Sequence, residues 1–474
     1  MSKPAVVLIT CDELRRDTLG CYGNQAIKTP NIDSLTQIGT RMDKFYTVSP
    51  WCLPARCSIL TGKYPHRSGA YSNFRPCPLD TGIDNVFKGM KRGGYATSLF
   101  GKCHFAPVPY DQARSDATLP YDTFRDYYLS LGIDTLALQD DKNVSIWFYD
   151  DYSKELDKAG YLEECRRVNW LKKEHGTVYE FPAPAEWHPD AWVGRKAAEY
   201  LRMDKGDKPQ FTWISFSGPH YPYDSPKEYL SRVDESKLFP MVMQEGELDD
   251  PGRIHSKSYH GGGNIDGTNT APNRGCKYFS DDYWRRLRIS YNANVALIDD
   301  MVGEILAAVK EHYGDNCLVI FTADHGEMLG NHGIWGKHNC GYEEVWGIPM
   351  LVKFPGQTQG AVSSAIANLN DIFPTCMTAA GLELPETDGK PLQVQLENGG
   401  MEYTFAEGEG YIAVTDGTRK YIHVEKPGEH YRELLDQTTD PHEFTNQLGK
   451  PEYDKTASLL REKVIDHFIQ TVLP

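Results

Sequence analysis

Five short apolar runs constrain this chain more than any other feature: residues 5–10, 95–100, 211–216, 317–322 and 349–354. Each is apolar without alternation, the pattern of a strand covered on both faces in a parallel sheet. Between them lie stretches with a 3.6-residue period. The clearest spans 291–310, where Val295, Ile298, Met301, Val302, Ile305, Leu306 and Val309 fall on one face. Strand–helix alternation of this kind predicts an α/β fold, a large doubly wound and mostly parallel sheet flanked by helices. No internal repeat is visible.

Two stretches break the alternation. Residues of about 105–200 are rich in Tyr, Trp and Asp, and about 225–280 are rich in Gly, Asn and Pro. They read as surface insertions or as a wall over a substrate. After residue 384 the character changes. A hairpin is predicted over 411–414 and 420–424 about the turn Asp416-Gly417, followed by a closing helix over 456–472. The expected organisation is an α/β domain over 1–384 carrying both insertions and a smaller α+β subdomain, antiparallel sheet plus helix, over 385–474.

Composition narrows the partners. With 50 Lys and Arg against 66 Asp and Glu, the formal charge of −16 opposes binding to nucleic acid. No apolar run approaches the roughly 20 residues of a membrane helix. The 11 cysteines are scattered without CxxC pairs, as expected for reduced, mostly buried thiols in a cytoplasmic protein. The segment ahead of the first run is too short for a signal peptide.

The apolar runs end in unusual company. The first leads to Asp12-Glu13, the second to Gly101-Lys102-Cys103-His104, the third to Ser217-Gly218-Pro219-His220, and the fourth to Asp324-His325-Gly326. Ligands of open α/β sheets bind beyond the carboxyl ends of the strands. Carboxylates, imidazoles and a lysine are therefore expected on one face. A lone Asp after a strand is more often a helix cap, and a lone His more often structural. Asp12, Glu13, Asp324 and His325 together read as an oxygen-rich metal site, suited first to Ca²⁺, with Mg²⁺ or Mn²⁺ as alternatives.

The segment Cys52-Leu53-Pro54-Ala55-Arg56 adds a candidate for chemistry. Pro54 suits a first helical turn. Cys52 then lies at a helix N-terminus, where backbone N–H groups attract anions, and Arg56 is one turn on. The bland alternative is a buried cysteine before a helix. Trp187-His188 and Trp192 read as insertion core, with sugar stacking as the alternative.

Cys52-Leu53-Pro54-Ala55-Arg56, continuing to Thr61-Gly62-Lys63-Tyr64-Pro65-His66, resembles the signature of the type I, formylglycine-dependent sulfatases of the alkaline phosphatase superfamily. Gly101-Lys102-Cys103-His104, Gly218-Pro219-His220, Thr322-Ala323-Asp324-His325-Gly326-Glu327 and Gly336-Lys337 resemble the same family. So do Leu435-Asp436 and Thr439-Asp440-Pro441 with Glu443. The match covers nearly the whole chain in order. Two positions depart: Glu13 stands where Asp is common, and Ala55 where Ser is common.

The resemblance implies a sulfuric ester hydrolase. Cys52 would be oxidised to formylglycine (3-oxoalanine) by a formylglycine-generating or anaerobic sulfatase-maturating enzyme. The metal would rest on Asp12, Glu13, residue 52, Asp324 and His325. One hydroxyl of the aldehyde hydrate would attack sulfur, with Asp324 taking its proton. His220 and Lys337 would assist the leaving oxygen, and His104 would deprotonate the second hydroxyl to expel sulfate. Arg56, Lys102 and Lys337 would clamp the sulfonate oxygens. His66, His332 and His338 are expected in supporting roles. The expected substrate is a small organic sulfate, a carbohydrate or aryl ester. A phosphonate monoester or phosphodiester hydrolase of the same superfamily is the alternative. A Ca²⁺-stabilised binding protein with unconverted Cys52 is the non-enzymatic one.

Overall fold

The computed structural model describes all residues except 1–2, 74, 76, 108–121, 143–144, 176–177, 204–205, 207, 262–274, 338–339 and 473–474. Among the described residues, eight strands form the main sheet. They are β1 (Ala5–Asp12), β2 (Thr40–Met42), β3 (Ala96–Gly101), β4 (Thr135–Leu138), β5 (Gln210–Pro219), β6 (Cys317–Ala323), β7 (Met350–Lys353) and β8 (Ala361–Ser363). Their order is β4-β3-β5-β1-β6-β7-β2-β8. Every residue of β1, β5 and β6 is buried, which explains runs of Val, Ile, Leu and Phe without polar alternation.

The expected α/β fold is present, with one correction. The run at 349–354 was expected to be parallel, but β7 pairs antiparallel with β6, Phe321 opposite Leu351. A strand buried on both faces has no direction in its hydrophobicity, so the run reads alike either way. The predicted helix at 291–310 lies inside a longer one, Asp281–Tyr313. Within it Val295, Ile298, Val302, Ile305 and Val309 are buried.

Beyond the main sheet, β9 (Thr404–Gly408), β10 (Tyr411–Thr415), β11 (Arg419–Lys426) and β12 (Glu429–Asp436) form an antiparallel meander. The predicted hairpin is β10–β11, with Ala413 opposite Ile422. The closing helix runs over Asp454–Val472. One face of this sheet, through Tyr411, Ala413, Ile422 and Val424, packs with Met328, Ile334, Cys340 and Trp346. The Tyr411 hydroxyl donates to the Cys340 carbonyl at 3.1 Å. The C-terminal sheet thus braces the loop that carries Lys337. His188 and Trp192 are buried, the Trp192 indole donates to Glu155 at 2.9 Å, and Trp192 belongs to the main hydrophobic core. Residues 108–121 of the first insertion and 262–274 of the second lie outside the described residues, as does His338.

Candidate active site

The carboxyl ends of β1, β3, β5 and β6 meet on one edge. β1 pairs with β5 on one side and β6 on the other, and its register against β5 shifts between Cys11 and Asp12. There the Asp324 N–H donates to the Cys11 carbonyl (3.2 Å) and the His220 N–H to the Asp12 carbonyl (3.2 Å). Two acidic side chains and a histidine are fixed together by backbone bonds. Gly101 ends β3 at φ +100°, and a Cβ there would stand 2.0 Å from the Ser215 carbonyl oxygen. Only glycine permits that approach, which turns Lys102, Cys103 and His104 into the site.

Cys52 opens the helix Cys52–Thr61, as expected. Trp51 provides no side-chain cap. Instead the Asn73 side-chain oxygen accepts from the Leu53 N–H at 3.0 Å. The helix ends at Gly62 in the left-handed region. Cys52 Sγ lies 3.2 Å from His325 Nε2 and 3.1 Å from Lys337 Nζ. Atoms of Asp12, Cys52, Asp324 and His325 all lie within 4.8 Å of one another, and all four residues are buried. The His325 Nδ1–H donates to the Gly326 carbonyl (3.0 Å), which leaves the Nε2 lone pair aimed at this cluster. Asp12 Oδ1 is buried with no hydrogen-bond partner among the described residues.

Glu13 is placed differently from the other acidic candidates. Its φ of +66° is held by two bonds: its N–H donates to Asp324 Oδ1 (3.0 Å), and its carbonyl accepts from the Tyr291 hydroxyl (2.5 Å). The carboxyl lies outside the four-residue cluster, 3.4 Å from Lys337 Nζ and 3.5 Å from His220 Nε2. Burial raises it well above the usual carboxylate range, with the neighbouring Glu327 and Asp12 adding and Lys337 opposing.

Cations line the rest. Arg56 is fully buried: Nη1 donates to Asp324 Oδ2 (3.1 Å), Nε to the Cys103 carbonyl (3.0 Å), and Nη2 to the Lys102 carbonyl (2.6 Å) and to Ser215 Oγ. Lys102 Nζ bridges Asp12 and Asp141, the latter at 2.9 Å. His104 has φ +49°, and both its ring nitrogens are buried without a partner among the described residues. The His220 Nδ1–H donates to the Tyr221 carbonyl (2.6 Å).

Burial dominates the electrostatics. It raises Asp12, but Lys102, His220 and Lys337 override it and hold this carboxyl well below its ordinary value. Asp324 is pushed up, by burial and then by the Asp12 charge. Burial together with lysine charges lowers His104, His220 and His325. It pushes the Cys52 thiol up, with Asp12 adding.

Some residues here were not anticipated. Asp140 accepts from the N–H groups of Cys103 and His104, both at 2.9 Å, and Asp141 pairs with Lys102. They follow β4, whose short Leu136-Ala137-Leu138 run before Gln139-Asp140-Asp141-Lys142 repeats the polar strand-end pattern inside what read as an insertion. Ser215 also escaped notice, and Glu327 stood in the motif after the fourth run without being given a role. Glu327 Oε1 accepts from Gly336 N (2.7 Å) and Leu329 N (3.2 Å), shaping the turn before Lys337.

A doubly wound sheet with buried carboxylates, imidazoles and cations around one helix N-terminus is an arrangement that can accept a cation and an oxyanion side by side. Comparison with known proteins makes it specific. The family described as Sulfatase matches residues 4–382, and that described as N-sulphoglucosamine sulphohydrolase, C-terminal, matches residues 330–470. The chain belongs to the sulfatase family, within the alkaline phosphatase superfamily, and is a sulfuric ester hydrolase. It is 27% identical to an arylsulfatase of Clostridium perfringens, covering 98% of this chain and 94% of the relative. It is also 27% identical to the multifunctional alkaline phosphatase superfamily protein PehA of Trinickia caryophylli, again over 98% and 94%. The crystal structure of a phosphonate monoester hydrolase of Agrobacterium radiobacter shares the fold, with a TM-score of 0.80, 23% identity and coverage of 99% and 96%.

Proposed function

We propose that this chain hydrolyses sulfate monoesters of a small organic alcohol, a carbohydrate or aryl ester, using formylglycine derived from Cys52 and one divalent cation. The observation that carries this reading is residue 52, flanked by Lys337 Nζ and His325 Nε2 within 3.2 Å and grouped with Asp12 and Asp324. The arylsulfatase relative supports the ester class.

The donor set fits a cation. The unpartnered Asp12 Oδ1 and the His325 Nε2 lone pair are the groups a positive ion would satisfy. Asp12, residue 52, Asp324 and His325 would hold it, with Ca²⁺ favoured by the carboxylates. When bound, it offsets charge on sulfate oxygens and acidifies a hydroxyl at residue 52. Formylglycine, as its hydrate, provides two hydroxyls where serine has one.

The chain's own groups do the rest. Arg56 orients Asp324 by a charged hydrogen bond and ties the β3 and β5 ends to the Cys52 helix. Lys102 and Lys337 supply positive charge beside residue 52. Because His220 Nδ1 is committed to the Tyr221 carbonyl, Nε2 is the nitrogen that exchanges a proton with the departing alcohol oxygen. His104, with both ring nitrogens unpartnered among the described residues, accepts the proton of the second hydroxyl. Glu13 supports Lys337 and His220 from outside the metal cluster.

The acidic surface favours small or already degraded substrates. Maturation calls for a formylglycine-generating or anaerobic maturating enzyme, and cytoplasmic residence remains our reading. Among the described residues no helix is long and apolar enough to cross a membrane. A phosphonate monoester or phosphodiester hydrolase of the same superfamily is the second reading, in keeping with a relative described as multifunctional. Matured protein is assayed on 4-nitrophenyl sulfate and on a phenylphosphonate ester. A higher kcat/KM on the sulfate supports the first reading, and a higher value on the phosphonate establishes the second.

A further inference from the structure

A second convergence of ligating side chains lies apart from the strand ends. His66, in the one-turn helix Pro65–Ser68, Glu407 of β9 and His467 of the helix Asp454–Val472 each present one donor atom, all within 4.8 Å of one another. His66 Nδ1 stands 2.7 Å from Glu407 Oε2, and His467 Nε2 stands 2.5 Å from Oε1. Glu407 and His467 are nearly fully buried, whereas the His66 side chain is 20% exposed and opens the cluster to solvent.

Hydrogen counting shows what the cluster requires. The Thr471 hydroxyl is 2.6 Å from the His467 carbonyl and 2.9 Å from His66 Nε2. A carbonyl only accepts, so with its single hydrogen placed there Thr471 accepts from His66 Nε2–H. A neutral His66 then turns the Nδ1 lone pair toward a carboxylate oxygen. In that arrangement a positive centre lies between them, either a proton or a metal ion.

The geometry points to a second divalent-metal site, formed by His66, Glu407 and His467. Two imidazoles and one carboxylate suit a borderline ion of the Zn²⁺ type rather than a hard one. Thr471 is the outer partner that orients a ligating imidazole. Ligands on one tetrahedral Zn²⁺ bind at about 2.0–2.2 Å and so stand roughly 3.4 Å from each other, which means that the two nitrogen–oxygen pairs open by somewhat under about 1 Å when the ion enters. Water completes the shell from the His66 side. Such an ion would pin the C-terminal helix to β9 and to the segment that follows the Cys52 helix. This inference is independent of the substrate reading.

The test titrates chelator-stripped full-length protein with Zn²⁺ alone and counts equivalents bound. Glu407→Gln is expected to take up one equivalent fewer than the parent, and to do so again when Asp324→Asn disables the strand-end site. Co²⁺ in place of Zn²⁺ is expected to give visible absorption that Glu407→Gln loses. Equal stoichiometry in parent and Glu407→Gln overturns the site and leaves a purely hydrogen-bonded clasp. Should Glu407→Gln fail to fold, His66→Gln is read instead, because it spares the buried pair. At least tenfold weaker Zn²⁺ binding supports the site, and unchanged affinity overturns it.

Discussion

Arg56 and Asp324 form an ion pair that water does not reach: Nη1 lies 3.1 Å from Oδ2, and both side chains are 0% exposed. Removing one partner of a buried pair leaves the other charge stranded, at a cost of about 3–5 kcal/mol. Arg56 also binds two backbone carbonyls of the β3 end. Arg56→Ala is therefore expected to lose about that much stability in urea denaturation and to lose turnover as well. A variant of parental stability would contradict this role.

In the proposed mechanism His220 exchanges a proton through Nε2, so its value depends on the leaving group. With substituted phenyl sulfates, His220→Ala should slow esters of poorly acidic phenols far more than nitrophenyl esters. The slope of log kcat/KM against phenol pKa should become steeper. Equal losses across the series would remove His220 from leaving-group assistance.

The cluster of Asp12, Cys52, Asp324 and His325 gives metal binding a thermal signature. A ligand at one hundred times its Kd stabilises the native state by about 2.7 kcal/mol. Ca²⁺ added to chelator-treated protein should raise Tm, and the rise should vanish in Asp12→Asn. A rise of the same size in that variant would move the ion elsewhere.

How far the sequence foretold this site can be argued residue by residue. Asp12, Lys102, His104, Asp324 and His325 were legible because each follows a mostly apolar run within a few residues, and strand ends of an α/β sheet share one edge. Asp140 and Asp141 were hidden because β4 is short and only half-buried along its length. The placing of Glu13 depends on a left-handed backbone held by Tyr291, 278 residues away. No local pattern reports such a contact. The antiparallel direction of β7 was equally out of reach, since burial on both faces erases the sign of the strand.

A different buried group sets an acid limit. Asp224 accepts from Lys142 Nζ at 2.7 Å and lies 3.4 Å from His188. Burial raises its carboxyl, but Lys142 and His188 prevail and hold it at about 2, below its ordinary value of 3.8. The folded value is depressed, so this stability is present above pH 4 and is lost as pH falls from about 4 toward about 2. Asp224→Asn should cost roughly 2 kcal/mol near neutrality, and its gap to the parent should narrow at pH 3. A gap that stays constant with pH would rule out the charge as its source.

Residue 52 carries the account, and one measurement reaches it directly. Preparations matured to different extents are analysed by mass spectrometry of the peptide containing residue 52. Conversion exchanges the sulfur, its hydrogen and one Cβ hydrogen of the cysteine for one oxygen. Turnover of 4-nitrophenyl sulfate is expected to rise in proportion to the aldehyde fraction and to extrapolate to zero for the pure thiol. Full activity in a preparation whose Cys52 is entirely thiol would contradict the account.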